Sequence, residues 1–157
     1  MQSVYPTLTL PDPEAMSRLA ARLAQDLRAG DVLLLEGPIG AGKTHFARAL
    51  IQSLLAQPED VPSPTFTLVQ TYEAAGFEIW HADLYRLTHP DEAQELGLAE
   101  AFETALCLVE WPERLGRDRP ASALTLRFSA SPDDSRQLDF LSQNMGWRDR
   151  LKGLADV

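Results

Sequence analysis

Gly37-x-x-x-x-Gly42-Lys43-Thr44 sets two glycines, a lysine and a hydroxyl at a spacing that suits phosphate chemistry. Glycines let backbone N–H groups turn inward around an anion, and a helix starting at the loop's end adds its positive pole. Lys43 can reach the outer phosphate oxygens and the Thr44 hydroxyl can ligate Mg²⁺, so Gly37, Pro38, Ile39, Gly40, Ala41, Gly42, Lys43 and Thr44 read as a nucleoside triphosphate cradle. Chance alone yields this pattern in roughly one chain in two hundred of this length. The Asp-x-x-Gly and Asn-Lys-x-Asp elements that would read guanine do not occur, and Asn144, the only asparagine, is followed by Met145. ATP is therefore the expected nucleotide.

Phosphoryl chemistry also needs a carboxylate on the Mg²⁺ shell or on the attacking water. Glu110 ends the apolar run "LCLVE" in the manner of a Walker B acid, with glutamate for the commoner aspartate, and Asp83 ends an alternating run just before "LYR". Each alone reads as well as a solvated strand end, but parallel strands of such a sheet end on the edge that carries the phosphate loop. Thr65, in "SPTFT", could sense a γ-phosphate from a proline-stiffened loop, although turn chemistry explains it almost as well. His45 and His89 lack metal-ligand spacing and read as surface residues, and His81 as a core histidine or one backing a ligand. Trp111 could stack on a base or partner, yet packing at a strand end is commoner. Arg114, Arg117 and Arg119 could form a kinase-like lid, with a solvated loop as the default.

These residues need elements to hold them. Asp12-Pro13 is an N-cap with proline at the first helical position, and Met16, Leu19, Ala20, Leu23 and Leu27 follow at helical spacing up to Gly30. "DVLLLEG" suits a buried strand, and Ala47, Leu50, Ile51 and Leu54 line a helix that runs from Lys43 and stops before Pro58. Two strands meet near Gly76, "THPDEAQELGLAEAFE" forms one or two short helices, and "ALCLVE" is a buried strand ended by Trp111-Pro112. "LTLRF" and "RQLDFL", joined by "SPDD", read as a hairpin. The expected fold is α/β: a three-layer P-loop NTPase-like domain over residues 1–157, with a mixed, largely parallel central sheet and a C-terminal β-hairpin.

With 157 residues, 45% of them apolar, such a domain needs no staples. Cys107, the only cysteine, sits in an apolar run and reads as a core thiol. The net charge of −9 argues against a broad grip on nucleic-acid phosphates, so DNA is not an expected partner and any RNA role runs through another protein. No basic start or long apolar stretch suggests a membrane segment, and a cytoplasmic protein is expected.

"GPIGAGKT", "SPTFTLV", "HADLYRL" and "LVEWPERL", in this order and spacing, resemble the TsaE (YjeE) family from about Leu10 to Leu115. The resemblance implies a small ATPase of bacterial threonylcarbamoyladenosine (t6A) formation. In that role it works with TsaB and TsaD, the latter transferring the group to adenosine 37 of tRNAs that read codons beginning with A. It puts the phosphates on Gly37 to Thr44 and Mg²⁺ on Thr44 and Glu110, makes Thr65 part of a switch-like loop and Asp83 an acid needed for hydrolysis, and brings Leu10, Pro11 and Arg136 toward the nucleotide. A small-molecule kinase is the competing reading, and the segment after Leu115, with Trp147, carries little family signature.

Overall fold

The computed structural model describes residues 1–64 and 67–156. In chain order its elements are β1 (Gln2–Leu10), α1 (Pro13–Ala24), β2 (Val32–Glu36), α2 (Lys43–Leu54), β3 (Val69–Ala74), β4 (Phe77–Asp83), α3 (Asp91–Glu95), α4 (Leu98–Thr104), β5 (Leu106–Glu110), β6 (Leu124–Ala130), β7 (Arg136–Ser142) and α5 (Trp147–Arg150). Short 3-10 segments occupy Pro112–Asp118 and Lys152–Asp156.

Among the described residues one seven-stranded sheet forms in the order β1-β7-β6-β2-β5-β4-β3. The central block β6, β2, β5 and β4 is parallel, while β3 and β7 run the other way and β1 pairs antiparallel with β7. Five of the seven strands thus share one direction, as a mixed and mostly parallel sheet requires. Alternation along the strands divides the core in two, because successive side chains point to opposite faces. Leu33, Leu35, Leu106 and Leu108 pack under α1 and α2, whereas Val32, Leu34, Cys107 and Val109 pack with Ala93, Leu98 and Ala101 of α3 and α4. Burial pushes the Cys107 thiol up to about 12, which keeps it an inert core group.

Asp12 caps α1 by accepting from the Ala15 N–H at 2.8 Å, and Pro13 occupies the first turn. The helix ends at Ala24, well before Gly30 where the apolar spacing runs out. There the N–H groups of Gln25, Asp26 and Leu27 bond back only three residues, tightening the chain out of the α-helix. The N-terminal segment, for which no strand was expected, is the edge strand β1. Its register shifts twice around Pro6 and only Val4 and Leu10 are buried, so it never shows clean alternation. The antiparallel hairpin β6–β7 lies where the sequence puts it.

The C-terminal segment is tied to the bottom of the sheet. The Arg150 guanidinium donates to Asp31 Oδ1 at 2.9 Å and Oδ2 at 2.5 Å and to the Asp26 carbonyl, and lies 4.1 Å from the Trp147 ring centre. Trp147 Nε1 donates to the Ser122 carbonyl at 2.9 Å. No helix among the described residues is long and apolar enough to cross a membrane. Hydrogen bonds to charged groups contribute about 1.5–3 kcal/mol each when largely buried. Arg150→Ala is therefore expected to lower unfolding free energy by about 2 kcal/mol, read as a lower urea midpoint at unchanged slope; an unchanged midpoint refutes the tether.

Candidate functional site

The loop between β2 and α2 depends on glycine at two points. Gly37 has φ +142°, and a Cβ there would lie 2.6 Å from the Phe128 carbonyl oxygen; at Gly42, φ +105°, it would meet the Met16 side chain at 2.8 Å. Helix α2 then begins at Lys43 with no side chain capping its first turn, which leaves its leading N–H groups directed into the loop. That uncapped start beside a glycine cradle fits an anion.

Lys43 is only 5% exposed. Its Nζ donates to the Gly37 carbonyl and sits 3.6 Å from the Trp111 ring centre. Burial lowers its pKa from the ordinary lysine value, although Glu110, Glu113 and Asp83 pull the other way. Trp111 itself adopts a left-handed backbone, φ 60° and ψ 53°, in the residue after β5. Its ring also meets Tyr85, with centroids 4.9 Å apart.

Parallel pairing of β4 with β5 puts Asp83 beside Glu110 at the same sheet edge. Glu110, 2% exposed, accepts from Thr44 Oγ1 on Oε1 at 2.7 Å, and its Oε2 lies 2.7 Å from His81 Nε2. His81 is fully buried and its Nδ1 has no hydrogen-bond partner among the described residues. The ring proton therefore belongs on Nε2, facing the carboxylate, since a buried N–H without an acceptor costs about 1–3 kcal/mol. Asp83, 6% exposed, accepts from the Tyr85 N–H at 3.0 Å.

Ile39, Gly40, Gly42, Lys43, Thr44, Asp83 and Glu110 share one cavity of about 450 Å³. A second cavity, of about 370 Å³, holds Leu10, Pro11 and Arg136 and meets the first at Gly42 and His45. Arg136 Nη2 lies 3.4 Å from the Gly40 carbonyl. Gly37 and Pro38 face a separate groove beside Arg127, and Ala41 is buried with its N–H on the Pro38 carbonyl at 3.2 Å. Thr65 lies outside the described residues. Among those described, no cluster of three His, Cys, Asp or Glu side chains could hold a metal alone. One hydroxyl and one carboxylate would nonetheless suit Mg²⁺, a hard cation that takes oxygen ligands and few of them from protein.

One expectation needs correction. His45 is not a plain surface residue: it is half-buried, with Nε2 2.9 Å from Ser17 Oγ and 3.2 Å from the Pro13 carbonyl, at the junction of the cavities. Its place directly after Thr44, in the first turn of α2, was the available signal. Arg114 and Arg117 are exposed on the 3-10 segment, as a solvated loop requires, while Arg119 is half-buried and donates to Glu36 Oε1 at 2.5 Å and to Thr125.

A buried parallel strand, a glycine cradle and two acids on neighbouring strand ends define an α/β protein of P-loop NTPase type. The crystal structure of YdiB from Bacillus subtilis has the same fold, with a TM-score of 0.78 and 26% identity over 96% of this chain and 94% of that one. Residues 10–138 match the family of threonylcarbamoyl adenosine biosynthesis protein TsaE, and the chain belongs to that family. It is 48% identical over 105 residues to the tRNA threonylcarbamoyladenosine biosynthesis protein TsaE of Rickettsia conorii, covering 67% of this chain but only 60% of that protein. Against the protein of that name from Bacillus subtilis it is 36% identical over 130 residues, 82% of this chain and 80% of the relative. The family serves t6A biosynthesis.

The lowered Lys43 pKa carries a stability consequence. Below the folded value lysine is charged in both states, and its desolvation opposes folding in full. Between that value and 10.5 only the unfolded chain keeps the proton, so stability rises with pH across this window. Lys43→Met should thus be more stable than the parent at pH 7 in urea unfolding, with the gap closing as pH approaches 10.5. A less stable variant, or a pH-independent gap, contradicts the assignment.

Proposed function

We propose that the chain binds ATP with Mg²⁺, hydrolyses it slowly alone, and supports repeated turnover of a TsaB–TsaD assembly that makes t6A at position 37 of tRNAs reading codons that begin with A. The observation that carries this reading is the convergence of the Lys43 amine, the Thr44 hydroxyl and the Asp83 and Glu110 carboxylates in one cavity at the uncapped start of α2. The loop Gly37–Thr44 cradles phosphate, Lys43 meets the outer oxygens, and Thr44 and Glu110 hold Mg²⁺, which neutralises charge on the transferred group. Asp83 positions the attacking water. Leu10, Pro11 and Arg136, across the junction at Gly42 and His45, receive the rest of the nucleotide.

Slow intrinsic turnover follows from what lines the cavity. Among the described residues it contains no arginine, Arg119 is engaged by Glu36, and Arg136 sits over the Gly40 carbonyl in the adjoining space. A cation supplied by a partner is worth about 10³–10⁵ in rate for such reactions. The engaged Arg119 also supports an ATPase over a kinase with an arginine lid. Contact with tRNA runs through the partners, consistent with the net charge of −9.

Mg²⁺-ATP is expected to raise the melting temperature of the isolated protein and GTP to raise it less, with Lys43→Ala losing most of the effect. Ligand at a hundred times its dissociation constant adds about 2.7 kcal/mol to the native state. Steady-state hydrolysis should be slow alone and faster with TsaB and TsaD; high activity unaffected by them favours a free-standing ATPase or kinase. The two acids should separate. Glu110→Gln is expected to weaken Mg²⁺-dependent binding, while Asp83→Ala keeps binding and loses about 10²–10⁴-fold in hydrolysis, the usual range for positioned proton-transfer groups. Parent-like hydrolysis in both variants would return these acids to the status of ordinary strand ends.

A further inference from the structure

Glu110 sits at the end of β5 with its two carboxylate oxygens committed to different elements. Oε1 takes the Thr44 hydroxyl of α2, and Oε2 meets His81 Nε2 of β4, each at 2.7 Å. The terminal torsion of a glutamate is soft, so its own rotamer does not set the plane of the carboxylate. Two donors on opposite oxygens do. His81 is well placed for this: it pairs in register with Leu108, one pleat before Glu110, and shares a face of β4 with Asp83 two residues on.

Packing alone does not account for a histidine here. The ring is fully buried, and its Nδ1 gains no hydrogen bond among the described residues, where an apolar side chain would fill the same space without stranding a polar atom. Among the described residues, the polar contact the ring makes is the one to Glu110. We infer that His81 is a positioning residue, which locks the Glu110 carboxylate so that Oε1 stays on the Thr44 hydroxyl and the pair is preorganised for Mg²⁺. This rests on the Mg²⁺-ATP reading proposed above. Partners that orient a metal-binding carboxylate in this way contribute about 10–100-fold to metal affinity.

The test is a Mg²⁺ titration of the melting temperature at fixed ATP, with Mg²⁺-free ATP and nucleotide-free protein as references. His81→Leu should raise the Mg²⁺ concentration for half-maximal stabilisation by about 10–100-fold, and leave the shift given by Mg²⁺-free ATP as in the parent. His81→Gln, whose amide nitrogen can occupy the place of Nε2, should return the midpoint to within a few fold of the parent. A folded His81→Leu with the parent's midpoint overturns the inference, as does a Gln variant no better than Leu. If His81→Leu does not fold, ¹⁵N-histidine spectra of the parent decide: a proton on Nε2, and a His81 signal that moves when Mg²⁺ is added to the ATP-bound protein, support the role, and an unmoved signal rejects it. A parent whose melting temperature ignores Mg²⁺ at fixed ATP removes the underlying reading instead, and this inference with it.

Discussion

A carboxylate that is 2% exposed, at the end of a strand buried on both faces, cannot stand without donors, and Glu110 is such a group. Desolvating an unpaired charge costs several kcal/mol, on the order of a small domain's whole stability. Its donors come from two other elements, and supplying them constrains most of the architecture. The hydroxyl of Thr44 must arrive on the first turn of α2, so the chain has to reverse between β2 and α2 in a few residues. That reversal holds both Gly37 and Gly42 at positive φ, and at Gly37 the Phe128 backbone leaves no room for a Cβ. The imidazole of His81 must come from the adjacent parallel strand in the right register, which places β4 beside β5 and brings Asp83 to the same edge.

Lys43 adds a second, opposed demand. Its amine lies among three acids, and yet burial outweighs their attraction and lowers its pKa. An exposed lysine would avoid that penalty. The amine is stabilised instead by the Gly37 carbonyl and by the Trp111 ring, whose residue holds a left-handed backbone that costs on the order of 1–3 kcal/mol for a non-glycine. A cation–π contact of a desolvated amine, about 2 kcal/mol, is of the same size. Strain in Trp111 and the placement of the amine are therefore linked, and both lie in the wall of the cavity that Thr44, Asp83 and Glu110 line.

The parts of this arrangement that were legible in the sequence are those with strong local signals. "DVLLLEG" and "ALCLVE" read as buried strands because both faces are covered, and the glycine-lysine-threonine spacing admits few other uses. Asp83 and Glu110 were visible as strand ends, but their adjacency is a matter of register, which no local pattern encodes. The edge strand β1 was not legible: around Pro6 its register slips and its burial follows no period. Helix α1 was read too long because Leu27 keeps the apolar spacing while the hydrogen bonds have already shortened to three residues. His45 and the engagement of Arg119 by Glu36 are tertiary facts, set by Ser17 and β2, far from either residue in sequence.

Charge gives the proposed partner dependence its physical logic. The cavity holds one lysine against Asp83, Glu110 and the nearby Glu113, in a chain of net charge −9, so its field draws cations, and on the proposed reading added positive charge strengthens its hold on a triphosphate. An arginine of the chain's own in that cavity would relieve the imbalance and make turnover independent of any assembly. Arg119, beside β2, is bound to Glu36 and Thr125. On the proposed reading, withholding that charge is what couples hydrolysis to docking. On that reading, a partner that brings a cation would be steered toward the acidic site by the field of its carboxylates, and the interaction that orients it would also complete the chemistry.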